Sequence, residues 1–287
     1  KETDAELVLA SDPDADRVGA AVKNNEGEWV LLNGNQTALM FVYYLITRWK
    51  ELGKIQGKEY IVKTIVTTET IKTIADRNGV GFYDVYTGFK WIANVMKQNE
   101  GKLNYIGGGE ESYGFLCEDF VRDKDAVSAC AVLAEIAAWA KDQGMSMYQL
   151  LQKIYVEYGF SKEKGISVVK KGKSGAEEIE AMMKHFRENP LKEIAGSKVT
   201  YFYDYSTLKG IDYLENETLT LDMPVTSNVL QFFTEDGTKV SIRPSGTEPK
   251  IKFYCEVHSK VNSVEELDAA DKAATEKIEA IKASLGI

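Results

Sequence analysis

Apolar and polar positions follow two different rhythms along the chain. Three short apolar runs, 7–10, 18–22 and 29–32, read as strands of a small sheet. From there to residue 158, strand-like and helix-like segments alternate. The period lengthens to a helical one over 35–52, where Gly53 closes the segment. A β-branched and aromatic run at 60–66 reads as a strand, 68–78 as a helix ending at Gly79, and 82–86 as a strand. Residues 89–98 read as a helix, 104–107 as a strand running into a glycine-rich loop, and 125–143 and 147–158 as helices. Strands alternating with helices predict a three-layer α/β domain over 33–158 with a mostly parallel mixed sheet. The apolar stretch 126–140, broken only by Ser128 and Glu135, reads as a helix buried on both sides. It is shorter than the roughly 20 residues of a membrane span.

After residue 158 the strands come in succession. One is expected at 166–170. Ser174 and Glu177 read as a capping box for a helix to about Arg187, with Pro190 beyond it. Strands follow at 198–205, 218–222, 229–234, 239–242 and 251–258, and Asp236-Gly237 marks a hairpin. Ser263 and Glu266 are expected to cap a last helix to Ser284. Grouped strands with flanking helices predict a separate α+β domain with an antiparallel sheet, divided from the first near 159–164.

Composition narrows the classes. At 287 residues about two domains are expected. With 35 Lys+Arg against 44 Asp+Glu the net charge is −9, which argues against a general nucleic-acid binder but leaves room for a local basic pocket. Cys117, Cys130 and Cys255 are an odd, scattered set without a CxxC pair. They fit reduced thiols of a cytoplasmic protein better than a disulfide framework or a zinc site. His185 and His258 show no partner spacing and are expected to face solvent or to pack. The chain begins at Lys1 without a leader pattern and enters a strand at once. We therefore expect further domains of the same polypeptide upstream.

Three loops carry candidate chemistry. The first, Ser11-Asp12-Pro13-Asp14-Ala15-Asp16-Arg17, crowds three carboxylates onto five residues. Two carboxylates 4 Å apart repel by about 4 kcal/mol at an effective dielectric of about 20, and a hard divalent cation such as Mg²⁺ offsets that repulsion. Arg17 would present its fork of donors to a phosphate at the same place. The EF-hand pattern fails, because Arg17 and Lys23 stand where it needs Gly and Glu. An aspartyl nucleophile at Asp12 and a solvated turn held by Pro13 are the competing readings. The second loop runs Gly107-Gly108-Gly109-Glu110-Glu111-Ser112-Tyr113-Gly114. Its glycines let backbone approach a ligand, and Glu110 and Ser112 offer groups suited to a pair of sugar hydroxyls; a flexible connection is the alternative. The third, Arg243-Pro244-Ser245-Gly246-Thr247-Glu248-Pro249, combines hydroxyls, exposable N–H groups and a guanidinium for one anion, or is a plain turn. A fourth cluster, Thr87-Gly88-Phe89-Lys90, lies at a strand-to-helix junction that favours anions. Lys124 is a further candidate for phosphate or sugar.

Together and in this order the loops resemble those of the α-D-phosphohexomutase superfamily, the phosphoglucomutase/phosphomannomutase group. The matching stretches are DPDADR at Asp12–Arg17, TGFK at Thr87–Lys90, GEESYG at Gly109–Gly114 and RPSGTEPK at Arg243–Lys250. The resemblance implies a four-domain enzyme interconverting hexose 1- and 6-phosphates through a phosphoserine and a bisphosphate. Residues 1–32 would be the tail of its metal-loop domain, 33–158 the sugar-loop domain and 159–287 the phosphate-binding domain. It further implies Asp12, Asp14 and Asp16 as Mg²⁺ ligands and a sugar bisphosphate as activator. Arg17 and Lys90 are the catalytic candidates. Thr87, Gly88, Gly109, Glu110, Ser112 and Lys124 are implied on the sugar side, and Arg243, Ser245, Gly246 and Thr247 as the clamp on the substrate's phosphate, with Lys252 as a further basic residue. The implied partners are sugar phosphates and the upstream domains, with neither nucleic acid nor membrane. The Ser-His-Asn-Pro phosphoserine stretch is missing from these residues, so the chain alone is expected to be inactive. Ala15 replaces a glycine common in the metal loop, which implies that the loop does without a left-handed residue there. Glucose, mannose and pentose phosphates all suit such loops, and Tyr113 and Phe115 are placed to tune the choice.

Overall fold

Three short strands open the chain: β1 (Leu7–Ser11), β2 (Val18–Lys23) and β3 (Trp29–Leu32), antiparallel in that order. Ser11 pairs with Val18, so residues 12–17 form the hairpin loop. The computed structural model describes residues 4–170, 172–246 and 248–287. Helix α1 (Gly34–Glu51) begins at a capping box in which the Asn33 side chain accepts from Gln36 N and the Gln36 side chain accepts from Asn33 N.

A four-stranded sheet follows, built from β4 (Glu59–Thr64), α2 (Thr70–Arg77), β5 (Gly81–Val85), α3 (Phe89–Asn99), β6 (Asn104–Gly109) and β7 (Phe115–Cys117). Its order is β5-β4-β6-β7, parallel among the first three and antiparallel at β7. Every residue of β4 is buried, as expected for a central parallel strand covered on both faces. Tyr60 and Val62 pack with Ile92 and Met96 of α3 on one face. On the other, Phe41 of α1 stacks on Phe115 with ring centroids 4.3 Å apart. Helices α4 (Ala126–Asp142) and α5 (Met147–Tyr158) complete this unit, which ends at Gly159. Only Ala126, Ala129, Leu133, Ile136 and Ala140 of α4 are buried, and Val127 is exposed. The helix therefore buries one stripe rather than two sides, because alanine covers an outer face at little cost in water.

The second unit, Phe160–Ile287, comprises β8 (Phe160–Val169), α6 (Gly172–Glu188), β9 (Glu193–Ile194), β10 (Ser197–Asp204), β11 (Lys209–Asp212), β12 (Glu217–Thr220), β13 (Leu230–Thr234), β14 (Lys239–Pro244), β15 (Lys250–Ser259), a 3₁₀ turn at Val264–Glu266 and α7 (Leu267–Leu285). The sheet runs β12-β11-β10-β13-β14-β15-β8, with β9 on β10, and all its pairs are antiparallel. Phe202, Phe232, Val240, Ile242 and Phe253 form its buried apolar set, with Phe186 of α6 edge-on to Phe253. Strand β8 starts six residues earlier than expected. Its Lys162, Glu163 and Lys164 read as loop, yet they pair in full register with β15 at the sheet's edge, where charge is tolerated and discourages aggregation.

Both predicted caps of this unit are displaced. Helix α6 already starts at Gly172, which puts Ser174 inside it, and Ser263 makes no side-chain cap while Glu266 accepts from Asn262 N. His258 is not without a partner, since its Nε2 lies 3.5 Å from Glu256 Oε1. The three cysteines are free, and burial pushes the Cys255 thiol up to about 12. Among the described residues no helix is long and apolar enough to cross a membrane.

Candidate active site

The loop between β1 and β2 is closed by its own first carboxylate. Asp12 Oδ1 accepts from Asp16 N and Arg17 N, both at 3.1 Å. Desolvation acts to raise the Asp12 pKa, but these two backbone donors outweigh it and hold the group below the usual carboxylate range. Oxygens of Asp12, Asp14 and Asp16 lie within 4.8 Å of one another. Asp16 Oδ1 is buried without a hydrogen-bond donor, and Arg17 Nε is 3.5 Å from it. Three carboxylate oxygens this close, one left without a donor, fit a hard divalent cation.

Ala15 sits at φ 56°, which corrects the expectation that its position avoids the left-handed region. Its carbonyl accepts from Ala126 N at 3.0 Å, and that bond fixes the turn. Replacing Ala15 with Gly removes the clash of Cβ with the backbone and is expected to stabilise the protein by about 0.5–1 kcal/mol. The thermal midpoint checks this, and a lower midpoint than wild type contradicts it.

The three glycines before Glu110 do not form a loop. Gly107, Gly108 and Gly109 are the end of β6 and are buried. A Cβ on Gly108 would lie 2.5 Å from Val62 O, and one on Gly109 would lie 2.4 Å from the Phe115 ring. These residues are glycine because neighbouring backbone and ring fill the space, not because a ligand does. Beyond them the turn is tight: Glu110 N donates to Gly114 O at 2.9 Å. Glu110 is buried, and its Oε1 accepts from Gly88 N at 2.8 Å. That contact ties the sugar-type loop to the TGFK junction, where Gly88 precedes α3 with φ 110°. Ser112 is exposed at the tip.

Lys124 connects this loop to the acidic one. Its Nζ is 2.7 Å from Asp16 Oδ2, and it lies 6.0 Å from the centre of the Phe89 ring. Burial works against its charge, but the hydrogen bond to Asp16 and the charge of Asp123 outweigh burial and raise its pKa. A Cβ on Gly114 would lie 2.6 Å from Lys124 Cδ and 3.3 Å from Glu110 Oε2, so both side chains flank the same glycine. Arg17 bridges to Gly114, and Val18 N donates to Tyr113 O at 3.1 Å. Asp12, Asp14, Asp16, Arg17, Gly88, Gly109, Glu110, Ser112 and Lys124 thus belong to one connected patch. Thr87 is half-buried beside it. Lys90 is exposed and lies over the Trp91 ring at 5.1 Å, with no described bond into the patch.

In the second unit, Arg243 at the end of β14 pairs in register with Lys252 of β15. Both are half-buried, and the hydrogen bond from Lys250, helped by the charge of Lys252, holds the Glu248 carboxyl below its usual range. Two cations side by side, with one acid near them, suit an anion. Ser245 N donates to Lys250 O at 2.8 Å, and Gly246 is exposed. Thr247 lies outside the described residues. A cavity of about 310 Å³ opens beside this loop, lined by Ile179, Met183, Ser245 and Lys250.

Several supporting groups escape motif reading. Glu111 accepts from Thr64 Oγ1 at 3.2 Å, and Thr64 Oγ1 lies 2.8 Å from Thr67 Oγ1. Gly34 lies so close to the loop that a Cβ there would stand 2.0 Å from Glu111 O. The threonines Thr64, Thr67 and Thr68 after the Tyr60-Ile61-Val62 run are the one local signal of the first pair; Gly34 shows none.

Comparison with known proteins gives the family and the fold. Residues 33–158 match the family model "Phosphoglucomutase/phosphomannomutase, alpha/beta/alpha domain III", and residues 168–273 match "Phosphoglucomutase/phosphomannomutase, C-terminal domain". The chain belongs to the phosphoglucomutase/phosphomannomutase family. It is 38% identical over 250 residues to a phosphoglucomutase of Staphylococcus aureus, covering 87% of this chain and 44% of that protein. It therefore spans less than half the length of the curated relatives it matches. A phosphoglucomutase/phosphomannomutase family protein from Burkholderia thailandensis shares the fold, with a TM-score of 0.59, 18% identity and coverage of 99% of this chain and 48% of that one. So does Aspergillus fumigatus N-acetylphosphoglucosamine mutase, solved in complex with GlcNAc-6P and magnesium, with a TM-score of 0.50, 13% identity and coverage of 96% and 52%.

Proposed function

We propose that the chain is the C-terminal part of a Mg²⁺-dependent phosphoglucomutase that interconverts hexose 1-phosphate and hexose 6-phosphate. In this reading a phosphoserine elsewhere in the polypeptide donates and recovers the phosphoryl group, and a sugar bisphosphate is both intermediate and activator. Residues 1–32 would end the metal-loop domain, 33–158 form the sugar-loop domain and 159–287 the phosphate-binding domain. The observation that carries the reading is the connected patch in which Lys124 joins Asp16 to the Glu110–Ser112 loop. The 38% identity to phosphoglucomutases supports glucose as the sugar.

Asp12, Asp14 and Asp16 would hold Mg²⁺, which when bound supplies charge neutralisation to the transferring phosphoryl group. Arg17 and Lys124 add fixed positive charge beside it, and Lys90 is a candidate acid near the sugar. Glu110 and Ser112 would take sugar hydroxyls, with Thr87, Gly88 and Gly109 shaping the pocket. Arg243, Ser245, Gly246 and Thr247, with Lys252, would bind the phosphate that is not being transferred. Phosphoryl transfer depends mainly on such positioning and charge stabilisation. A cytoplasmic enzyme of carbohydrate metabolism suits the three free thiols.

The test is a phosphate-exchange assay of the full-length polypeptide with glucose 1-phosphate, Mg²⁺ and catalytic glucose 1,6-bisphosphate. Glucose 6-phosphate is expected, its formation is expected to stop with EDTA, and the 287-residue chain alone is expected to form none. Mannose and ribose 1-phosphates serve as comparison substrates. No exchange between C1 and C6 with any sugar overturns the proposal. Hydrolysis of phosphate esters by the 287-residue chain, lost in Asp12→Asn, would mark an aspartyl phosphatase instead.

A further inference from the structure

Tyr113 stands in the sugar-type loop at φ 73°. Its backbone is held there from both sides. Its carbonyl accepts from Val18 N at 3.1 Å, and Gly34 closes on its nitrogen, where a Cβ on Gly34 would lie 2.8 Å away. A bulky residue at positive φ is an outlier, and glycine would take this conformation freely. Yet the position holds a tyrosine, 41% exposed. Among the described residues its ring has no aromatic, cationic or hydrogen-bonding partner, so the backbone contacts hold the strained conformation and no such ring contact accounts for a tyrosine there. A bulky residue kept at a strained position without such ring contacts points to a use for its side chain outside the fold.

Phe115, two residues on, is a different case. It is buried and stacked on Phe41, so no ligand reaches it. Tyr113 lies between exposed Ser112 and Gly114, and Gly114 is flanked by Glu110 and Lys124. A hexose presents hydroxyls around its rim and C–H groups on its faces. An exposed ring with few rotatable bonds matches such a face at little entropic cost.

We propose that Tyr113 is a substrate-contacting, specificity-determining residue whose ring covers the C–H face of the hexose held by Glu110 and Ser112, an inference that rests on the mutase reading above. Glycine at this position relieves the strain while removing the contact, so stability and turnover are expected to move in opposite directions. A merely structural tyrosine would not separate them.

The experiment compares the full-length enzyme with Tyr113→Gly and Tyr113→Phe. For Tyr113→Gly, the thermal midpoint is expected to rise by about 2 °C, and kcat/KM for glucose 1-phosphate to fall about tenfold. Tyr113→Phe keeps the ring and is expected to restore kcat/KM to within about threefold of wild type. An active wild type with Tyr113→Gly equally active overturns this inference alone, as does Tyr113→Phe falling as far as Tyr113→Gly. A wild type without exchange between C1 and C6 overturns the mutase reading and this inference with it.

Discussion

Gly34→Ala is expected to destabilise the first unit by about 3 kcal/mol, while Gly79→Ala costs about 1 kcal/mol. The two substitutions add the same methyl group and fail for different reasons. Gly79 ends its helix at φ 67° with nothing within 4 Å of a Cβ, so only the left-handed backbone resists alanine. Gly34 opens α1 under the sugar-type loop. A Cβ there would stand 2.0 Å from Glu111 O, 2.7 Å from Glu111 C and 2.8 Å from Tyr113 N. These are backbone atoms, so no side chain can rotate out of the way.

The loop is also tied down by Glu110 on Gly88 N and by Glu111 on Thr64. Accommodating the methyl therefore means breaking those bonds or shifting the start of α1. All four tryptophans, Trp29, Trp49, Trp91 and Trp139, lie in the first unit, so urea unfolding followed by their fluorescence reports this unit alone. A Gly34→Ala midpoint equal to that of Gly79→Ala would show that the loop is free to move.

The alternation of strands and helices over 33–158 is legible because each element is long and strongly patterned. β4 shows through its Tyr60-Ile61-Val62 run despite Lys63, and α1 is closed by Gly53. β7 is not legible, because Phe115–Cys117 is three residues long and follows a glycine run that reads as loop. β9 and β11, at two and four residues, are likewise too short to show a period. They exist because β10 offers them a paired edge, which is a tertiary cause.

The candidate site divides in the same way. The acidic loop, the Glu110–Ser112 turn and Arg243 are legible because their chemistry is local in sequence. The purpose of the triple glycine is not, since Val62 and Phe115 dictate it from neighbouring strands. Ala15 misleads for a related reason. Residue preference speaks against a left-handed alanine, and the bond from Ala126 N to Ala15 O, from more than a hundred residues away, holds the turn.

Lys239→Met is expected to cost the second unit about 3–5 kcal/mol, the range found when one partner of a buried ion pair is removed. Lys239 of β14 and Glu256 of β15 are register partners with side chains 2% and 4% exposed, and Nζ lies 3.0 Å from Oε2. Removing the ammonium leaves a carboxylate in a place with almost no water. Glu256 also pairs in register with Glu163 of β8, so the remaining charge faces a second acid across the sheet, with His258 Nε2 3.5 Å from its Oε1. Replacing both partners at once, as Lys239→Met with Glu256→Leu, removes the desolvation penalty together with the attraction. The double variant is therefore expected within about 1 kcal/mol of wild type, a strongly non-additive pair. The second unit has no tryptophan, so hydrogen exchange of the β14 and β15 amides is the measurement. A loss of less than about 1 kcal/mol in Lys239→Met would mean that water enters between the strands and solvates Glu256. Additive losses in the double variant would mean that the two side chains act through their packing rather than their charges.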